Sequence, residues 1–135
     1  MHTTACAIWV DGERFVATGT SNHTVPMDSD RERNTAPGPM EMVLIALCGC
    51  TATDVVSILR KKREPFTRVE VRAEAQRAET PPKVFTTIKL VYRVSGKVAR
   101  KAVEDAVRLS EGKYCSVSAM LKKGTAISYT IELDS

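Results

Sequence analysis

The segment from Pro39 to about Arg63, PMEMVLIALCGCTATDVVSILRKKR, constrains what this chain can fold into more than any other. Gly38 suits a helix N-cap and Pro39 the first helical position. Glu41 takes the third, where a carboxylate meets unpaired amides. Pro65 stops the helix, and Arg60-Lys61-Lys62-Arg63 complements its dipole and its last carbonyls. The first half, Met42 to Cys48, is apolar on every face, so it is expected to be buried all round. About 24 residues make a helix of roughly 36 Å, as long as a small domain is wide. A 135-residue chain has little left to surround such a rod. Burial between two subunits is the economical solution, and a homodimer is expected.

The length fits one domain, residues 1–135, with a core that needs no staples. The longest uninterrupted apolar stretch, Met42 to Cys50, is too short to span a bilayer, so no membrane partner is expected. The start, MHTTACAIWVDGERF, lacks the basic and apolar regions of a secretory leader. A cytoplasmic chain follows as the default. There, four cysteines point to free thiols, metal or redox chemistry rather than structural disulfides. The net charge of +4 is mild, and at 5% aromatic residues the stacking platforms of a nucleic-acid surface are scarce. The basic cluster reads as a solvated helix end, and nucleic acid is disfavoured as a partner.

Thr4 to Val10 and Arg14 to Thr18 read as strands around an Asp11-Gly12 turn. His23 to Met27 reads as a third strand that Pro26 places at an edge. Asp28 to Gly38 is a polar loop. After the helix, Val69, Val71, Ala73 and Ala75 alternate with polar residues, as a half-buried strand requires. Pro81-Pro82 turns the chain into a second strand whose apolar face is Ile88, Leu90, Tyr92 and Val94. The two should form an antiparallel hairpin. Val98 to Leu109 is an amphipathic helix with Val98, Ala102, Ala106 and Leu109 inward, and Glu104 and Arg108 placed to pair. Gly112 should break it. A short helix from about Cys115 to Lys122 and a strand carrying Ile127, Tyr129, Ile131 and Leu133 complete an α+β chain.

Chemistry centres on the cysteines. Cys115 lies where a short helix begins, and helix dipole and Lys113 favour its thiolate. Local reasoning therefore makes it the better candidate for a low pKa, against an equal case for a packing residue. Cys50 sits mid-helix, where burial would make it inert, and its surroundings read first as core. Glu41 lies nine positions upstream on a similar side but about 13 Å away along the helix. Cys48 and Cys50 are rotated by about 200° from each other and cannot share an ion, and His2 and His23 are remote. No metal site is expected. Cys6 reads as a bystander, His23 has no assigned role, and no phosphate loop or Ser-His-Asp order is present.

Gly38-Pro39-Met40-Glu41, Leu44-Ile45-Ala46-Leu47, Gly49-Cys50 and Asp54-Val55-Val56-Ser57-Ile58-Leu59 together resemble the central helix of the OsmC/Ohr family. Lys113-Tyr114-Cys115-Ser116-Val117 resembles that family's second cysteine motif. The likeness runs from about residue 23 to the end and points within the family to its YhfA-like branch. It implies an OsmC-like fold, a long central helix packed against antiparallel sheets in an intertwined homodimer. It also implies thiol peroxidase chemistry on organic hydroperoxides, without a cofactor. Cys50 matches the peroxidatic cysteine and Cys115 the resolving one, with a dithiol reductant reopening their disulfide. Glu41 stands one position later than the family carboxylate. Arg14 is the N-terminal candidate for the guanidinium that holds the thiolate, in a setting unlike the usual motif, with Arg31 and Arg33 as substitutes. Two other functions stay open: a catalytically silent dimer holding a small apolar ligand at its interface, and a basic dimer on nucleic acid.

Overall fold

Gly12, at φ +47°, turns β1 (Ala5–Asp11) into β2 (Arg14–Gly19), as the Asp-Gly pair predicts. The Trp9 indole N–H donates to the Gly12 carbonyl at 2.9 Å and braces the turn. β3 (Thr24–Asp28) pairs antiparallel with β2, with Pro26 opposite Val16 on the free edge. His23 lies just outside that strand, its ring bonded to Ser21. Ile8 and Trp9 stand 65% and 63% exposed on β1. The computed structural model describes residues 1–135 as two compact units, Met1–Ile45 and Ala46–Ser135, whose boundary falls inside the long helix.

That helix, α1, spans Pro39–Lys61. At its start the Gly38 N–H donates to Glu41 Oε1 at 3.2 Å, so the third-position carboxylate caps the end. At its end Arg63 adopts φ +59°. There the Arg63 and Glu64 N–H groups reach back to the Arg60 and Leu59 carbonyls, both at 3.0 Å, a Schellman closure made without glycine.

Burial all round is not what one chain provides. Only Leu47, Thr51, Val55 and Leu59 are buried, a single i,i+4 stripe, while Ile45 is 49% exposed. One layer of partners covers one stripe, and the remaining apolar faces have no counterpart within the chain. The 23-residue helix is also long and apolar enough, by length and composition, to cross a membrane, which the shorter Met42–Cys50 stretch did not suggest. What ties it into this fold is the packing of that stripe and the hydrogen bonds of Thr51.

Within Ala46–Ser135 the sheet order is β4–β5–β6. β4 (Phe66–Arg77) and β5 (Phe85–Gly96) form the expected antiparallel hairpin. β6 (Ala126–Asp134) joins β5 in parallel, so this sheet is mixed and not purely antiparallel. The helices between β5 and β6 supply the crossover that a parallel pair requires. Flanked on both edges, β5 carries the core: Phe85, Ile88, Leu90, Tyr92 and Val94 are buried. Gly96 closes it at φ +114°, where an added Cβ would meet the Pro65 carbonyl at 2.6 Å.

α2 is Arg100–Leu109, and it buries Ala102, Val103, Ala106 and Val107. Val98 precedes the helix and Leu109 is half-buried, so the inward stripe is rotated from the expected one. Glu104 and Arg108 do not pair. Arg100 reaches Glu104 at 3.6 Å and Arg108 takes Asp105 at 2.9 Å. Gly112 does not break the chain but lies inside a π-helical turn, Ser110–Tyr114, that extends α2. α3 (Ser116–Leu121) follows directly.

Candidate active site

The π-helical turn delivers Cys115 to the N-cap of α3, with φ −74° and ψ 104°. Its sulfur accepts from the Ser118 N–H at 3.4 Å. The fold brings Cys50, from the middle of α1, near enough to it to raise the Cys115 thiol. Both are free thiols.

A low pKa at Cys115 is overturned. The residue is 2% exposed, and burial pushes its thiol up to about 12. The Ser118 N–H pulls the other way, while Cys50 and Asp54 add to the rise. A six-residue helix contributes little dipole against that desolvation. Lys113, the cation expected to help, holds its ammonium over the Tyr114 ring, 5.3 Å from the centroid. Cys50 is half-buried and the more accessible of the pair. Cys48 is half-buried on another face of α1, and burial raises its thiol too. Cys6 is exposed on β1, and no group of metal-binding side chains forms.

Beneath the thiols runs a polar chain that the cysteine motifs do not announce. Asp54 lies one helical turn after Cys50. Its Oδ2 accepts from Ser110 Oγ at 2.8 Å. Ser110 Oγ meets Thr51 Oγ1 at 2.7 Å, and Thr51 Oγ1 meets the Tyr92 hydroxyl at 2.5 Å. Tyr92 donates to Glu111 Oε1 at 2.6 Å. Burial, first, and the Glu111 carboxylate raise the Tyr92 phenol far above its usual range. Glu111 Oε2 also receives Ser118 Oγ at 3.3 Å and lies 3.5 Å from Lys122 Nζ. A signal for these residues did exist. Thr51 occupies a core position in the Leu47–Val55–Leu59 stripe, and Tyr92 sits in the buried alternation of β5. A hydroxyl at a core position must find a partner.

Beside Asp54 opens a cleft of about 410 Å³, lined also by Ile58, Lys61, Lys62, Leu109 and Tyr114. The other two expected site residues belong to the Met1–Ile45 unit. Glu41 caps α1 and faces Arg31 at 3.7 Å. Arg14 pairs with Asp11 at 3.1 Å, and Arg33 reaches the same carboxylate at 3.2 Å.

Comparison with known proteins bears on the family and the fold. The family model described as OsmC-like protein matches residues 32–130, which include α1 and both cysteines. Protein YhfA of Escherichia coli K12 is 44% identical over 126 residues, 93% of each chain. The crystal structure of a hypothetical protein from Aquifex aeolicus superimposes with a TM-score of 0.85 at 28% identity, covering 100% of this chain and 99% of that one. The organic hydroperoxide resistance protein OhrB of Bacillus subtilis shares the fold, with a TM-score of 0.68 at 12% identity over 98% of both chains. With the family model spanning most of the sequence and a relative at 44% identity nearly end to end, the chain belongs to the OsmC-like protein family.

Proposed function

We propose that this chain is a cysteine-dependent peroxidase that reduces organic hydroperoxides through a Cys50–Cys115 dithiol/disulfide cycle. It acts as one OsmC-like domain in a cytoplasmic homodimer. The observation that carries the reading is the nearness of the Cys50 and Cys115 thiols, drawn from segments far apart in sequence. A fold-mate named as an organic hydroperoxide resistance protein supports it from the side of the fold. The uncovered faces of α1 and the exposed Ile8 and Trp9 give a second subunit something to bury.

In the first step the Cys50 thiolate attacks the hydroperoxide and one proton is taken up, giving Cys50 sulfenic acid and an alcohol. Cys115 then condenses with the sulfenic acid to form the disulfide, and its thiol hydrogen leaves with the hydroxyl as water. A dithiol reductant reopens the bond by exchange, emerging as its own disulfide. A thiol held up to about 12 suits the resolving role, because Cys115 stays protonated until the sulfenic acid forms. By the family resemblance, Arg14 is the candidate for the guanidinium of the thiol site and Glu41 for its carboxylate. Arg31, already facing Glu41 at 3.7 Å, is the competitor for the first role.

Reduced protein treated with one equivalent of an organic hydroperoxide should form a stoichiometric Cys50–Cys115 bond on peptide mapping. Cys50→Ser should abolish turnover and leave the fold intact; retained turnover refutes the reading. Whichever of Arg14→Ala and Arg31→Ala loses about 100-fold in rate identifies the guanidinium. A silent dimer holding a small apolar ligand is the second reading, favoured by the depth at which Cys115 is buried. Thiols that stay reduced under hydroperoxide would select it.

A further inference from the structure

Cys115 is delivered by a π-helical turn, Ser110–Tyr114, a conformation that chains adopt rarely and mostly as a single turn. Gly112, Lys113 and Tyr114 are exposed, so they give the turn little to pack against. Its inward anchors are its first two residues, Ser110 and Glu111. The Ser110 carbonyl accepts from the Cys115 N–H at 2.9 Å and closes the turn. The Ser110 hydroxyl meets Thr51, the residue that follows Cys50 in α1, at 2.7 Å. The Glu111 side chain is only 8% exposed and accepts from Tyr92 at 2.6 Å and from Ser118 Oγ at 3.3 Å. Tyr92 in turn meets Thr51 at 2.5 Å. Thr51 is thus tied to the Cys115 turn twice, directly through Ser110 and by way of Tyr92 and Glu111.

Packing alone does not ask for these groups. Thr51 stands in line with Leu47, Val55 and Leu59, and Tyr92 with Leu90 and Val94. Valine and phenylalanine at the two positions would fill the core without a polar atom to satisfy. The bonds converge instead on the two thiol-bearing segments. Thr51 adjoins Cys50, and Ser118, whose hydroxyl Glu111 holds, gives its N–H to the Cys115 sulfur at 3.4 Å. We propose that Thr51, Tyr92 and Glu111 are positioning residues: they clamp the Cys115 turn to the Cys50 stretch of α1 and so set how readily the two thiols close to a disulfide.

Closure is sensitive to such a clamp because a disulfide needs Cα atoms within about 7 Å and Cβ directions that converge. Holding both segments in place raises the effective concentration of one thiol at the other. Loosening the clamp lowers it and leaves both sulfurs present. The proposal rests on the pairing of Cys50 with Cys115, which the peroxidase reading also uses, and not on the peroxide step.

Equilibrium with glutathione measures that effective concentration in the intact protein. The two thiols and one glutathione disulfide exchange to give the Cys50–Cys115 disulfide and two glutathiones, and peptide mapping after acid quenching gives the fraction closed. Tyr92→Phe and Glu111→Ala should each shift the equilibrium about tenfold toward the dithiol. Glu111→Gln should stay within about twofold of the wild type, because its amide oxygen still accepts from Tyr92 and its NH₂ can donate to the Ser118 hydroxyl. Val103→Ala, a truncation of the buried α2 face outside the clamp, should lower the melting temperature without moving the equilibrium. Near-UV circular dichroism reports which variants fold. An unchanged equilibrium in a folded Tyr92→Phe or Glu111→Ala variant, or an equal shift in Val103→Ala, overturns the proposal. So does a wild type that forms no Cys50–Cys115 disulfide, and so does failure of both Tyr92→Phe and Glu111→Ala to fold, which would make the clamp a folding element. A wild type whose thiols close with glutathione disulfide but stay reduced under an organic hydroperoxide removes the peroxidase reading and leaves the clamp standing.

Discussion

Two regions of the molecule hold an aspartate through side-chain hydroxyls, and they do so in opposite ways. Asp28, at the end of β3, collects donors: the Asp30 and Thr35 N–H groups at 2.9 and 3.1 Å, and Thr35 Oγ1 at 2.6 Å. The Thr35 hydroxyl and Asp30 amide, with Arg33 nearby, hold its carboxyl down to about 2 against the cost of burial. Asp54, half-buried, accepts from a single serine hydroxyl at the end of a chain of hydroxyls. The first arrangement favours a charge and locks a loop. The second leaves most of the carboxyl group free on the wall of a cleft. A surplus of donors fits an anchor, whereas a single donor fits a side chain that faces an open cleft.

Replacing each carboxylate with its amide should break this comparison most sharply. At Asp28 the new NH₂ must face either the Asp30 or the Thr35 N–H, so a donor meets a donor. Asp28→Asn should lower the melting temperature clearly and loosen the loop that precedes α1. At Asp54 the amide oxygen can still accept from Ser110 Oγ while the NH₂ turns to the cleft. Asp54→Asn should therefore change stability by less than about 1 kcal/mol, the net worth of one hydrogen bond. Acid sharpens the contrast. Because folding lowers the Asp28 pKa from its ordinary 3.8 to about 2, its stabilisation is complete above pH 4 and fades as pH falls through that interval. Thermal melts of wild type and Asp28→Asn should converge there, and parallel curves would mean that the carboxylate anchors nothing.

How much of this could be read in advance differs by region. The loop and helix start were legible because capping is local: Gly38, Pro39 and Glu41 are adjacent, and Glu41 does cap the end. The Asp-Gly turn and the alternation of β4 are local for the same reason. The thiol pair was legible only through likeness to a family, since nothing in either segment states that Cys50 and Cys115 meet. Local reasoning ranked Cys115 as the more acidic thiol because it saw a helix end and a lysine. It could not see the desolvation, which depends on what packs over the sulfur. The hydroxyl chain draws on α1, β5 and the π-helical turn, so no window of sequence contains it. Thr51 and Tyr92 nonetheless stood at core positions, where a polar atom signals an unseen partner. The parallel pairing of β6 and the π-helical turn had no sequence signal in this chain.

The smallest effect is an alkaline one, and it tests whether the thiol site tolerates charge as poorly as the Asp28 loop requires it. Folding raises the Cys115 thiol from its ordinary 9.0 to about 12, chiefly through burial. Between those values the unfolded chain releases a proton that the folded chain keeps. Stability from this group is therefore complete below about pH 9 and declines as pH rises through the interval. Cys115→Ala removes the group that titrates, so its melting temperature should fall less steeply over the alkaline range than that of the wild type, although the variant starts lower for want of packing. The same burial predicts that iodoacetamide labels exposed Cys6 well before Cys115. Equal alkaline slopes, or early labelling of Cys115, would mean that the sulfur is open to solvent in solution. The site would then lose the feature that keeps Cys115 protonated until Cys50 is oxidised.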